Sequence, residues 1–236
     1  MSRNELDFVR DMFDGIAPRY DFLNRLLSLR QDVFWRAKLV SSLDLEPGAQ
    51  VLDTACGTGD VGVEILQQFG ECARVTGIDF SPEMLRLAKP KVGNAADDGA
   101  IALVAADAFD LPFRNAQFNA ITMAFGIRNI QDKETVLKCF WDHLKPGGRL
   151  AILELATPAQ GLARHVYLFY FKRLLPFVGR FFSKHSFAYS YLPASVARFP
   201  VAGEFAKMMV RAGFTQVRYR PLTLGITVLF VGDKPR

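Results

Sequence analysis

Cysteine is scarce in this chain: Cys56, Cys72 and Cys139 lie far apart, form no C-x-x-C pair and are odd in number. A disulfide framework and a structural zinc site are therefore unsupported, no metal is expected, and a reducing compartment such as the cytoplasm fits best. Long apolar runs are missing too. The longest, Val166 to Phe171, is cut by Lys172 and Arg173, far short of the ~20 residues that span a bilayer. The first residues include Arg3, Asn4, Glu5 and Asp7 rather than a continuous apolar stretch, so no secretory signal is expected. Internal repeats and low-complexity linkers are absent, and 236 residues, 50% of them hydrophobic, suffice to bury one core. The expectation is one domain over 1–236. Carboxylates run short in one region. Residues 155–236 hold 12 Lys and Arg against 2 Asp and Glu, whereas 1–154 hold 17 against 22. Such a division suits an anionic partner for the C-terminal third, a membrane surface or a nucleic acid, or else a solvated basic face.

What is present is organised around Val51 to Asp60, Val-Leu-Asp-Thr-Ala-Cys-Gly-Thr-Gly-Asp. Apolar residues ending on Asp53 predict a buried first strand. Gly57 and Gly59 then allow a sharp turn and leave room for a ligand against the backbone. A helix from about Val61 would bring its unpaired N–H groups to that ligand. Ala55, Gly57 and Gly59 fall at every second position without the third glycine of G-x-G-x-x-G, which suits a ligand lacking a pyrophosphate.

Residues 4–40 read as amphipathic helices broken at Pro18, with Phe8, Met12, Phe13 and Ile16 before the break and Phe22, Leu23, Leu26, Leu27, Phe34 and Trp35 after it. Asp14, Arg19, Tyr20, Asp21 and Asn24 at the break either line a pocket or satisfy one another. Arg74 to Asp79 reads as a second strand. Its terminal Asp79, 20 residues beyond Gly59, suits the two hydroxyls of a ribose, or equally a helix cap. Ser81 and Pro82 resemble a helix start, with Met84 on the inner side. Polar residues 91–99 read as a loop, followed by strands Ile101 to Ala105 and Phe118 to Ala124. Helix Lys133 to Leu144 leads to a Lys145-Pro-Gly-Gly148 turn whose glycines would supply positive φ. Strand Arg149 to Leu155, a helix from Phe199 to Ala212 and two closing strands, about Gln216 to Tyr219 and Ile226 to Gly232, complete the pattern. Together these predict an α/β fold with a doubly wound, mostly parallel Rossmann-like sheet, an antiparallel C-terminal edge hairpin, N-terminal helices over 1–45 and a helical insertion over 161–198. Residues 161–190 interleave nine aromatics with Arg164, Lys172, Arg173, Arg180 and Lys184, without one carboxylate. That pattern fits the interface of an anionic membrane, single-stranded nucleic acid, a dimer contact or a packed helical hairpin with a cationic edge.

The glycine turn, Asp79, Asp107 and the Pro-Gly-Gly turn resemble, in order and spacing, the class I S-adenosylmethionine-dependent methyltransferases. More specifically, the chain is similar to the ubiquinone/menaquinone biosynthesis C-methyltransferase family almost end to end. The residues that carry this are Met12-Phe-Asp-Gly-Ile-Ala-Pro-Arg-Tyr-Asp21 with Asn24, Leu111-Pro-Phe113, Phe125-Gly-Ile-Arg-Asn129, Leu144-Lys-Pro-Gly-Gly-Arg149, Ser190-Tyr-Leu192, Phe199-Pro200 and Ala212-Gly-Phe214. The chain departs from the family pattern at Arg30 and Asp32, where Gly and His are usual, at Cys56 (Gly), Ala194 (Glu) and Phe230 (His). These departures lie mainly in the elements expected to cover the substrate.

The resemblance implies S-adenosylmethionine as cofactor. Asp53, Cys56, Gly57, Thr58 and Gly59 would wrap its methionine part, Asp79 with Phe80 and Met84 would take the ribose side, Asp107 and Ala108 would border the adenine, and Ala124 is a further cofactor position. It also implies a polyprenyl hydroquinone methylated at a ring carbon, most simply demethylmenaquinol. Arg128 and Asn129 would sit at the ring, with Asp60, Tyr20 and Asp21 as further candidates for proton transfer or closure. A guanidinium with a pKa above ~12 is no literal base, so Arg128 would act electrostatically or through a water. The aromatic, basic segment becomes the route by which the lipid tail leaves the membrane, and peripheral association with the inner face of the cell membrane is expected. No nucleic-acid partner is expected: no Asn-Pro-Pro-Tyr motif follows the fourth strand, and Cys139 falls on a helix rather than where a base-attacking nucleophile belongs.

Overall fold

The computed structural model describes residues 14, 15, 17, 20–93, 95, 98–158 and 186–236, the last stretch with side chains from 191 onward. The helix expected before Pro18 and the aromatic, basic stretch up to residue 185 lie outside the described residues. In chain order the elements are α1 (Tyr20–Leu27), α2 (Gln31–Val40), β1 (Ala49–Thr54), α3 (Asp60–Phe69), β2 (Ala73–Asp79), α4 (Pro82–Val92), β3 (Ile101–Ala105) and β4 (Phe118–Ala124). A short 3-10 turn, Ile127–Asn129, follows, then α5 (Lys133–His143), β5 (Leu144–Leu155), α6 (Ser186–Arg198), α7 (Ala202–Arg211), β6 (Thr215–Leu222) and β7 (Thr227–Asp233).

The seven strands pair in the order β3-β2-β1-β4-β5-β7-β6. All neighbours are parallel except β7, which runs antiparallel to both β5 and β6. Alternation along each strand supplies two apolar faces. Leu52, Ile121, Leu150 and Ile152 pack on one side with Phe140, Phe205 and Phe230. Val51, Ala120, Ala151 and Leu153 pack on the other with Trp35, Leu39 and Ile65. Winding reverses between β1 and β4, so a crevice opens beyond their C-terminal ends, where open α/β sheets bind ligands.

Three expectations need correction. The Lys145 to Gly148 segment is no simple turn: β5 begins at Leu144 opposite Phe118, and pairing resumes only at Arg149 opposite Ala120, leaving an irregularity. Gly147 takes a positive φ of 78°. Gly148 does not, and is required instead by close approach, since a Cβ there would lie 2.8 Å from the Lys145 carbonyl. Helix α4 runs through Pro90 to Val92, so Lys91 is helical rather than in a loop. Pro90 stands one turn from the C-terminus, where its missing N–H costs a single helical bond. The helix expected from Phe199 begins at Ala202, and Phe199 instead packs its ring on Phe205 and Phe230. The last helical turn of α5 is closed from the far end of the chain: Lys234 Nζ donates to Trp141 O at 2.7 Å and Leu144 O at 2.8 Å.

Candidate active site

The turn after β1 places Ala55, Gly57 and Gly59 at φ of 51°, 55° and 82°, three left-handed positions in five residues. A Cβ on Gly57 would meet nothing within 4 Å, so that glycine is needed for its backbone conformation and faces open space. Gly59 caps α3. Across the crevice the chain leaves β4 through Phe125, at φ 59°. A bulky residue held left-handed is uncommon and concentrates at functional sites. Gly126 lets this loop close on the first turn, because a Cβ there would lie 3.0 Å from Ala55 Cβ.

Between these loops lies a narrow cleft of about 90 Å³. Of the residues singled out in the sequence, Tyr20, Gly57, Asp79, Phe80, Met84, Asp107, Ala108, Ala124 and Asn129 line it. Asp79, at the tip of β2, accepts from Gly57 N at 2.8 Å and Ser81 N at 2.9 Å. Burial pushes its carboxyl up, and these two bonds oppose the shift. Each oxygen keeps a further lone-pair direction for a ligand hydroxyl. Ser81 caps α4 by accepting from Met84 N, and its own hydroxyl donates to Asp14. Asp107 uses one oxygen to accept from Phe109 N at 3.0 Å. Burial raises the Tyr20 phenol, and a hydrogen bond with Asn24 partly offsets this.

The other expected residues, Gly59 and Asp21 among them, do not line the cleft. Asp53 is buried at the end of β1; one oxygen accepts from Thr122 Oγ1 at 2.8 Å, while Oδ2 has no partner among the described residues. Burial pushes this carboxyl up to about 7, and the nearby Asp79 adds to the rise. Cys56 is buried and its thiol is raised well above the ordinary range by that burial. Its side chain packs on Gly77 of β2, where a Cβ would lie 3.1 Å from its Sγ. Thr58 donates to Asp21 Oδ1 at 2.6 Å. Asp60, at the start of α3, pairs with Lys91 at 2.5 Å and Arg36 at 2.9 Å, which makes it an ion-network member rather than a free base. Arg128 is buried, 8% exposed at its side chain; its Nη1 donates to Glu154 at 2.8 Å and to the Phe125 carbonyl, and its backbone N–H takes the other Glu154 oxygen. Arg128 Nε has no partner among the described residues.

Sequence reasoning missed Glu154 and Lys91. A lone carboxylate inside the apolar run Leu150 to Leu155 was a usable signal, since a buried charge must be paired. Lys91 gave none, because a lysine directly after Pro90, at the head of a polar, glycine-containing stretch, reads as loop. The departures from the family pattern do not line the cleft. Asp32 is buried against Arg36 and Ser28, Phe230 stacks in the sheet core on Phe205 at 4.8 Å, and Arg30 and Ala194 are exposed.

The pattern of the ubiE/COQ5 methyltransferase family matches residues 1–234 of the chain. A relative from Geotalea daltonii, named ubiquinone/menaquinone biosynthesis C-methyltransferase UbiE, is 46% identical over 226 residues, covering 96% of each chain. A demethylmenaquinone methyltransferase of Deinococcus radiodurans is 44% identical over 96% of this chain and 92% of its own. That of Thermus thermophilus is 44% identical over 95% of this chain and all of its own. Among solved structures, a SAM-dependent methyltransferase of Thermotoga maritima superposes with a TM-score of 0.65 at 17% identity, over 95% of this chain and 98% of that one. One from Aquifex aeolicus does so at 0.62 and 18%, over 86% and 92%. At such identities these structures speak to the fold, which is that of the class I methyltransferases. With fold, cleft and near-complete sequence match in agreement, the chain belongs to the ubiE/COQ5 methyltransferase family and is a methyltransferase.

Proposed function

We propose that this enzyme methylates a ring carbon of a polyprenyl hydroquinone, demethylmenaquinol first among them, with S-adenosylmethionine as methyl donor. The observation that carries the reading is the composition of one cleft: the ribose-type acid Asp79 and the adenine-side pair Asp107 and Ala108 share it with an otherwise apolar wall and the polar tips of Tyr20 and Asn129. The residues present fit the cofactor. Asp79 offers acceptors for the two ribose hydroxyls, Gly57 leaves open space, and the partnerless Asp53 Oδ2 beneath the turn suits a cationic ligand group. The cofactor supplies an electrophilic methyl on a sulfonium.

A ring carbon becomes nucleophilic when a neighbouring hydroxyl loses its proton, so the enzyme's task is to favour the phenolate and hold the carbon in line. Asn129, on the cleft wall, orients a ring oxygen. Tyr191 Oη donates to its Oδ1 at 3.2 Å, so the amide N–H groups are the donors that Asn129 would offer a ring oxygen. Arg128 contributes positive charge from the same 3-10 turn, fixed in place by Glu154, and lowers the energy of an oxyanion without exchanging its own proton. Tyr20 closes the opposite wall.

Delivery of the lipid tail requires contact with a membrane, which makes the protein a peripheral cytoplasmic one. Support comes from the α1–α2 hairpin. Phe22, Leu26, Leu29, Val33 and Phe34 are all exposed there, Leu29 by 80%. Arg25, Arg30 and Lys38 accompany them, and Asp21 and Asp32 turn inward to cationic partners. Hydrogen bonds from Trp35 Nε1 to Thr223 Oγ1 and from Thr223 Oγ1 to Gln31 Oε1 set Leu224, 81% exposed, beside the same hairpin. Apolar tips ringed by cations suit an anionic bilayer surface; a homodimer contact is the competing use of the patch. Among the described residues no helix is long and apolar enough to cross a membrane.

The reaction is tested by transfer of labelled methyl from S-adenosylmethionine to reduced demethylmenaquinone and to a demethylated benzoquinol, each with a short prenyl tail. Label on the naphthoquinol ring is expected. No transfer to either ring, with cofactor binding intact, would point to a different hydrophobic aromatic or lipid acceptor.

A further inference from the structure

Lys91 does not line the cleft, yet its ammonium gathers groups that border it. It donates to Asp21 Oδ2 at 2.6 Å, to Thr58 Oγ1 at 2.9 Å and to Asp60 Oδ1 at 2.5 Å, which occupies all three of its N–H donors. Asp21 directly follows Tyr20, and Thr58 directly follows Gly57; Tyr20 and Gly57 both line the cleft. One ammonium on α4 therefore joins α1, the glycine turn and the first residue of α3.

Charge explains why the junction needs a cation. Asp60 Oδ2 also takes Arg36, which in turn holds Asp32 at 2.5 Å, so Arg36 is shared between two carboxylates. Arg25 reaches Asp60 only at 3.7 Å. Without Lys91, Asp21 and Asp60 would stand within about 5 Å of one another in a partly buried setting where repulsion is weakly screened. Burial tends to raise the Asp21 carboxyl, but the bonds from Lys91 and Thr58 outweigh it and hold it below the usual carboxylate range. Of the eight residues of α1, Leu23 is fully buried against Val196, with Leu27, Leu155, Leu192 and Ile226 partly buried around them, so the clasp acts beside a small apolar contact.

We propose that Lys91 is a positioning residue for methyl transfer: its ammonium clasps helix α1 to the glycine turn and so holds Tyr20 on the cleft wall. The inference rests on the cleft being the cofactor site, and it deepens that assignment by naming what keeps the site closed.

The test compares Lys91→Met, Lys91→Arg and Asp21→Asn with the unsubstituted enzyme by calorimetric titration with S-adenosylhomocysteine and by limited trypsin cleavage after Arg25 and Arg30. Thermal unfolding serves as a check on global folding. Lys91→Met should weaken binding at least tenfold and speed cleavage at these two arginines at least tenfold, while Lys91→Arg stays within threefold on both. The Lys91→Met/Asp21→Asn pair should regain part of the lost affinity, because the facing carboxylates are gone. Binding within twofold and unchanged cleavage in Lys91→Met would overturn the clasp. Should Lys91→Met unfold, Asp21→Asn alone carries the test, and it must move both readouts at least threefold. Failure of the unsubstituted enzyme to bind S-adenosylhomocysteine would instead overturn the cofactor assignment, and the clasp would then stand or fall on cleavage.

Discussion

Replacing Asp53 by Asn tests the electrostatics beneath the glycine turn, because the fold holds this carboxyl at about 7 against an ordinary 3.8. Burial is the main cause, partly offset by the bond from Thr122, and the nearby Asp79 and Asp60 add to the rise. The folded state then binds more protons than the unfolded chain between about pH 4 and 7, so stability falls as pH rises through that window and levels off above it. Full ionisation costs about 4 kcal/mol, since each pK unit is worth about 1.4 kcal/mol. Between pH 5.5 and 8.5 the share that remains to be lost is about 2 kcal/mol. Urea unfolding of the unliganded protein at pH 5.5, 7.0 and 8.5 reads this directly. Asp53→Asn keeps the acceptor for Thr122 Oγ1, so the fold is retained and that 2 kcal/mol decline should vanish from the variant. Cofactor affinity gives an independent reading: in the unsubstituted enzyme it should strengthen as pH rises through 7, as the carboxylate forms beneath a cationic ligand, and in the variant it should be weaker and flat. Parallel stability curves for the two proteins would refute the argument, and would mean that Asp53 is ionised and satisfied at neutral pH.

Glu154→Gln leaves the Arg128 guanidinium buried without its counter-ion; we expect a loss of about 3–5 kcal/mol in urea unfolding, as for other broken buried pairs, together with a large fall in kcat and little change in cofactor affinity. Phe230→His restores the residue usual in the family at a position that here faces Phe199, Phe205 and Tyr219. A destabilisation of about 1–3 kcal/mol with unchanged acceptor preference is expected, and a switch of acceptor would contradict the placement of this residue in the core. Leu29→Ser and Leu224→Ser together should reduce co-sedimentation with phosphatidylglycerol vesicles several-fold without altering turnover of a short-tailed quinol; an unchanged vesicle-bound fraction would remove the α1–α2 hairpin from the membrane-facing surface.

The sheet was legible because its signals are local. β1 and β2 are short apolar runs that carry a carboxylate at their C-terminal ends, and β1, β2 and β4 fall within two residues of where their sequences put them. The gathering of Gly57, Asp79, Asp107 and Ala108 around one cleft was legible for the same reason, since they sit at or just after strand ends that the pattern defines. What escaped depends on partners far apart in sequence. Lys91 acquires its meaning from Asp21, 70 residues earlier, and the helical register that delivers it runs through Pro90, which by itself argues for a helix end. Asp60 looked like a free acid beside the turn until Arg36 and Lys91 claimed both its oxygens. Phe125 is part of a recognisable motif, but its left-handed backbone is imposed by the loop around it and leaves no mark in the residue type.

The strand order carries a consequence for how the chain is made. β7 fits between β5 and β6, so until the final strand emerges from the ribosome, β5 presents an unpaired edge to solvent while everything N-terminal to it can already be folded. Lys234, just after β7, then supplies the donors that close a helix finished some ninety residues earlier. The nascent protein thus passes through a long interval in which its sheet is a template for another copy's strand. Chaperone demand should peak in the interval between synthesis of β5 and of β7.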